Sequence, residues 1–324
     1  MIRLAKACVK GVFVRSGMAG NRIRRSPAQI RILMYHGISP QSLPAALFER
    51  QLRFIRRHFD TYWVSEIPWL LDTLDGRRRP AAVLTFDDGL RNNAMVAAPL
   101  LEKYRIKATF YLVSDLLSGN EMLWNHELRC RLLLTPDRKL PGQVPPLPGG
   151  RAARWRQAGA FIEEVKQWPD DRRMELVGAV RESSGDVSWE PWMREAYQIM
   201  SVAEARALPP LVEVGSHTRT HPMLDQVSEA QAHDEIEGSR AQLESLLDRS
   251  VSTFCYPNGN LSESVLSMVG RTYDAAVTVQ QGLAGAGVSL HRLPRIMAGE
   301  SFNDFATWLV RPATLSQSRQ CRNA

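Results

Sequence analysis

The chain has 324 residues, 44% hydrophobic and 23% charged, the balance of a soluble globular protein able to bury one sizeable core. Its four cysteines (Cys8, Cys130, Cys255, Cys321) lie far apart without Cys-x-x-Cys spacing, which argues against a disulfide scaffold or a thiolate metal site and for reduced thiols in a cytoplasmic setting. The net charge of +7 resides in residues 1–31, which carry eight Lys or Arg and no acid; the body is near neutral, so a broad nucleic-acid surface is not expected.

In the basic extension, residues 1–30, Ile2, Ala5, Val9, Val12 and Phe13 recur at helical spacing with Lys6 and Lys10 on other faces. Two readings stay open. Residues 1–27 form a basic helix on an anionic membrane surface, or they are a solvated leader, which a misassigned start codon would also produce. The longest apolar run, Val12-Phe-Val14, is too short for the roughly 7–15-residue core of an export signal. No stretch approaches the ~20 apolar residues of a membrane span. The expectation is a cytoplasmic protein, peripheral on the inner membrane face if the helix reading holds.

Arg31-Ile-Leu-Met-Tyr-His-Gly-Ile38 reads as a strand ending at His36 and a glycine turn. A helix over 48–59, a short strand over 62–65, a helix over 67–74 and a solvated loop over 76–80 follow. Residues 81–86 are a largely apolar run with Val83 and Thr85, suited to a buried parallel strand. That strand delivers Asp87 and Asp88. Asp-Gly is a common turn dipeptide. Adjacent carboxylates nevertheless repel unless a cation or a shared proton compensates them, and the carboxyl ends of strands are where α/β enzymes place their chemistry.

A helix over 92–104 and a buried strand over 108–113 continue the alternation that argues for a parallel sheet with right-handed crossovers. The pattern breaks between Leu116 and Met200. This region holds five of the eight tryptophans (Trp124, Trp155, Trp168, Trp189, Trp192) and a Pro/Gly-rich link, and reads as an inserted helical subdomain. Its tryptophans either cap a site with their rings or pack the subdomain's own small core. A strand near 211–214 then ends in His217 and His221, closed by Pro222. Two histidines four apart converge on one ion if the segment turns helically, and imidazole nitrogen with carboxylate oxygen is a common first shell for zinc. Strands over 251–256, 275–279 and 293–297 and a closing helix over 302–310 complete the reading.

At these residues the chain resembles the polysaccharide deacetylases of carbohydrate esterase family 4. Thr85-Phe-Asp-Asp-Gly89 resembles the family's first motif, Ser216-His-Thr-Arg-Thr-His-Pro222 its second, and Phe254-Cys-Tyr-Pro-Asn-Gly259 a variant of its third. The resemblance covers roughly residues 31–300. It implies an α/β fold, a distorted, incomplete (β/α) barrel with an inserted helical subdomain. The divisions expected are 1–30 basic extension, 31–116 and 201–312 the two parts of the barrel, 117–200 the insertion and 313–324 a tail.

The resemblance also implies roles: Asp87 as general base, Asp88, His217 and His221 as ligands of a divalent metal, and Tyr256 and Asn258 as substrate and oxyanion contacts. His36 matches the histidine of the exopolysaccharide-type branch and is the expected acid. Its competitor His291, in Ser289-Leu-His291, precedes the last strand and so belongs at the opposite mouth. Cys255 stands where the third motif often has an arginine that orients the base. Arg295 is expected to supply that guanidinium from a neighbouring strand, the alternative being an ordinary surface ion pair. Zinc is the first choice of metal on ligand type, with nickel or cobalt suited to the same atoms. The expected activity is removal of an N-acetyl group from an amino sugar of a glycan or glycolipid. The alternatives are another metal-dependent amide hydrolysis on this scaffold, or a silent carbohydrate-binding protein.

Overall fold

The computed structural model describes residues 29–75, 77, 79–299 and 301–309. The proposed membrane-binding segment and the C-terminal tail lie outside the described residues. The described residues contain eight parallel strands: β1 Ile30–Tyr35, β2 Asp60–Tyr62, β3 Ala81–Phe86, β4 Ala108–Leu112, β5 Val212–Ser216, β6 Thr253–Cys255, β7 Ala275–Gln281 and β8 Leu293–Met297. Seven of them close a ring, with β1 paired to both β3 and β8. The barrel is therefore closed but one strand short of eight. β2 is a side branch that pairs with Ala81–Val83, while β4 takes Leu84–Phe86 on the same edge of β3.

β1 and β3 are buried along their whole length, as parallel strands covered on both faces must be. Side chains alternate between the two faces. Ile30, Ile32, Ala81 and Val83 join Tyr111, Cys255, Val277 and Leu293 in the ring interior. Leu33, Tyr35, Leu84 and Phe86 pack outward against Phe48, Leu52 and Ile55 of the helix Ala45–His58. Continuing the inward parity places Thr85, Asp87, His217 and Arg295 on the interior side at the carboxyl-terminal mouth. Gly215 serves this interior directly, because a Cβ there would lie 2.4 Å from the Tyr111 ring.

The region between β4 and β5 folds as the helices Trp124–Leu134, Arg151–Val165, Asp170–Ser184 and Pro191–Tyr197. Leu128, Leu132, Phe161, Ile162, Leu176 and Val180 form a core separate from the barrel's. Trp124 and Trp168 join that core, and Trp155, Trp189 and Trp192 surround a second small cluster of Met122, Cys130 and Met193. The tryptophans thus pack the inserted region itself. Two local expectations shift. The strand expected over 62–65 is β2 at Asp60–Tyr62, because Glu66 accepts from the Trp63 N–H and turns Val64–Glu66 into a 3-10 helix. The helix expected from 92 begins with a π turn, Asn93–Ala97, before Ala98–Tyr104. Among the described residues no helix is long and apolar enough to cross a membrane.

Candidate active site

The six-residue register between β1 and β3 ends with Tyr35 opposite Phe86, so His36 and Asp87 leave the barrel side by side. His36 Nε2 stands 3.9 Å from Asp87 Oδ2. That is too long for a hydrogen bond. The ring is about half exposed, while Asp87 is buried. Arg295 reaches Asp87 from β8 and donates to both carboxylate oxygens at 2.7 Å. Its other hydrogen bonds go to Thr85 Oγ1 and the Thr278 carbonyl, and its guanidinium also lies 3.4 Å from Cys255 Sγ. This fork is the strong, bidentate form of ion pair. At 1% exposure Arg295 is not a surface ion pair. The small Cys255 side chain is what leaves room for a guanidinium arriving from β8. Burial by itself would raise the Asp87 carboxyl, but Arg295, followed by His36 and His217, outweighs burial and holds it below the ordinary carboxylate range.

Asp88 takes a left-handed backbone conformation (φ 74°), and so does Gly89 after it (φ 66°), which swings Asp88 away from Asp87. Its Oδ1 lies 3.6 Å from Nε2 of both His217 and His221. All three residues are buried, with their ligand atoms within 4.8 Å of one another. Hydrogen bonding does not explain the separations, which are too long. Four ligands about 2.0–2.1 Å from a tetrahedral ion stand ~3.3–3.4 Å apart, so the trio fits a divalent ion with a few tenths of an ångström of adjustment. His217 Nδ1 makes a 2.7 Å hydrogen bond with the Cys255 carbonyl, which requires the ring to donate there, so Nε2 is the nitrogen that a neutral ring would turn to an ion. Burial pushes the His221 imidazole down to about 3, which favours the neutral ring that ligates.

The two histidines converge without the helical turn expected of them. Thr218 and His221 have positive φ (69° and 65°), and Thr218 Oγ1 accepts from the His221 N–H. The amides of Arg219 and Thr220, which a helix would use internally, donate instead to the buried carboxylate of Glu235, with the Thr220 hydroxyl on its second oxygen. Glu235 was not legible as part of the site, because only the folded loop brings it back 15 residues later.

The inserted helices also reach this mouth. Leu90 pairs with Ile199, the Arg91 N–H donates to the Gln198 carbonyl, and the Met200 N–H donates to the Gly89 carbonyl. Asn92 accepts from the Ile38 N–H and donates to the Glu195 and Ala196 carbonyls, joining the His36 turn to the helix Pro191–Tyr197. Trp124 Nε1 donates to the His221 carbonyl. His126, to which no spacing in the sequence drew notice, stands with Nε2 3.9 Å from Asp88 Oδ2.

Other expected residues part company with this cluster. Tyr256 is fully buried against Phe254, and its hydroxyl donates to the His291 carbonyl, so its side chain is not aimed at the mouth. The outward parity after Phe254 and the turn at Pro257 direct it into the core. Asn258 sits in the turn after β6 with φ 53° and donates its amide to Asn260. His291 bonds the Tyr273 carbonyl just before β7, at the opposite end of the barrel.

Comparison with known proteins agrees with this geometry. The family model described as polysaccharide deacetylase matches residues 75–136 and 199–273, on both sides of most of the inserted helices. YxkH of Bacillus subtilis, provisionally named a polysaccharide deacetylase, is 28% identical over 107 residues, which are 32% of this chain and 38% of that relative. The match thus spans well under half of the curated relative. Among solved structures, the Streptococcus pyogenes deacetylase PplD in complex with acetate superposes with a TM-score of 0.59 at 20% identity, covering 89% of this chain and 100% of that one. IcaB from Ammonifex degensii gives 0.54 at 14% identity, covering 87% and 97% respectively. With both leading motifs in place at one mouth, residues 75–136 and 199–273 are similar to the polysaccharide deacetylase domain.

Proposed function

We propose that the protein is a metal-dependent hydrolase that removes an N-acetyl group from an amino sugar of a polysaccharide, oligosaccharide or lipid-linked glycan precursor. The observation that carries this reading is the division of labour between adjacent carboxylates: Asp87 is forked to a buried Arg295, and Asp88 faces two imidazole nitrogens. Asp88, His217 and His221 would hold a divalent ion, zinc first and nickel or cobalt on the same donor set, which would supply Lewis-acid polarisation of the attacking water and the acetamide carbonyl. Asp87 takes the water's proton. Arg295 keeps that carboxylate ionised and fixes its plane, so the base is aimed before substrate arrives. His36, exposed at the same mouth, delivers the proton that the departing sugar nitrogen needs. The turn carrying Asn258 offers its backbone N–H to the developing oxyanion.

The acetate seen with PplD is the small product such a reaction releases. His36 after β1 and Arg295 on β8 support placement in the exopolysaccharide-type branch. The basic charge of residues 1–27 supports action on the inner face of the cytoplasmic membrane, where lipid-linked precursors are found.

The test is incubation of metal-loaded protein with acetylated amino-sugar oligomers, lipid-linked sugars and nucleotide sugars, read by mass spectrometry and free acetate. Loss of acetyl from at least one amino-sugar class is expected. Asp87→Asn should keep stoichiometric metal and lose about 10⁴-fold in turnover, at the upper end for a general base. Cleavage of a non-sugar amide with every amino sugar left intact would overturn the substrate assignment.

A further inference from the structure

The first turn of the helix Trp124–Leu134 touches the ligand cluster at two points. Trp124 Nε1 donates to the His221 carbonyl at 3.3 Å, and His126 Nε2 faces Asp88 Oδ2 at 3.9 Å. Oδ2 is the oxygen that the two candidate ligands do not face, since both of their nitrogens approach Oδ1. The His126 ring is not free to turn. It stacks on Tyr197 at 4.3 Å between centroids and 15° between planes, and Trp155 stands behind Tyr197 at 6.3 Å. His126 therefore comes from the inserted region, is held by that region's aromatic residues, and addresses a barrel carboxylate.

We propose that His126 is a positioning residue of the metal site, holding Oδ2 of Asp88 so that Oδ1 alone serves the ion. The inference rests on the metal-site reading given above. A carboxylate bound through one oxygen needs a partner on the other, or it swings to present both. His126 Nε2–H supplies that partner after a closure of about 1 Å, within the tightening that active-site contacts show when loaded. Its ligand atom is not within the compact group formed by Asp88, His217 and His221, which sets it outside the ligand set and beside it.

Two variants separate this role from simple packing. His126→Phe keeps a ring on Tyr197 and removes the donor; His126→Gln gives up the ring and keeps a donor near the same point. Cobalt(II) affinity, measured by chelator competition and by the visible absorption of the bound ion, should fall about 10- to 100-fold in the first variant. It should return to within a few-fold of wild type in the second. Amide and activated-ester hydrolysis should fall in parallel, because the residue acts through the ion and not as a proton donor to the leaving group. Unchanged cobalt affinity in His126→Phe, or equal loss in both variants, would overturn the proposal. His221→Ala is the companion control. If it loses cobalt while His126→Phe does not, only the positioning role fails; if it too binds normally, the metal-site reading fails with it.

Discussion

The barrel and the inserted helices contribute to one mouth by different means. The barrel delivers its groups through backbone register: β1 and β3 run in step for six residues, so His36 and Asp87 emerge together, and inward alternation aims Arg295 at Asp87. The insertion has its own apolar core and meets the site through individual contacts, Trp124 on the His221 carbonyl and His126 beside Asp88. A parallel ring permits little variation in where a strand end points. A helical insertion is under no such register, and what it places over the mouth depends on individual side chains.

The largest effect should come from the barrel's own ion pair. Arg295→Met leaves Asp87 buried without its main cation, a loss of about 3–5 kcal/mol in stability, measured by denaturant unfolding. The pH dependence has a definite sign. Asp87 is depressed in the folded protein, so its contribution is present above the ordinary unfolded value of ~3.9 and is lost as pH falls through the lower folded value. In the variant burial dominates, the carboxyl rises, and the acid limb of the activity profile should move to higher pH. An unmoved acid limb would mean that Arg295 does not set the base.

His36→Ala should lower kcat on an unactivated acetamide by roughly 10²- to 10⁴-fold and cost far less on an acetyl ester with a good leaving group. His291→Ala, at the other end of the barrel, should leave both rates nearly unchanged. The opposite ranking on the acetamide would undo the assignment of the two mouths.

A third change asks whether the two regions behave as one unit. Leu176→Ala opens a cavity in the insertion's core at about 2–5 kcal/mol. The Gly89–Asn92 loop is hydrogen-bonded to residues 195–200, so the loss should appear as one shared transition. Five of the eight tryptophans lie in the insertion, which makes fluorescence its local probe and far-UV circular dichroism the probe of the whole chain. Two separated melting curves would show an independent subdomain. The smallest effect concerns residues 1–27. Their deletion should move the protein off anionic vesicles without altering turnover on a soluble substrate; unchanged vesicle binding would remove the membrane proposal.

The sequence by itself determined the parts whose signal is local. Apolar runs bounded by Pro, Gly and Asp marked β3, and two short motifs named Asp87, Asp88, His217 and His221, because strand ends and adjacent residue types are readable without knowing what lies across the barrel. Arg295 was legible only through the resemblance, because Cys255 stands where the third motif often has the orienting arginine. Tertiary structure decided the rest. It joined the histidines through left-handed residues and Glu235 in place of a helical turn, turned Tyr256 into the core, and closed seven strands with β2 outside the ring. Above all it brought His126 to Asp88, 38 residues away in the chain and on a helix whose pattern spoke only of its own packing. Contacts of that kind depend on how two separately cored regions dock, and no periodicity within either one encodes the distance between them.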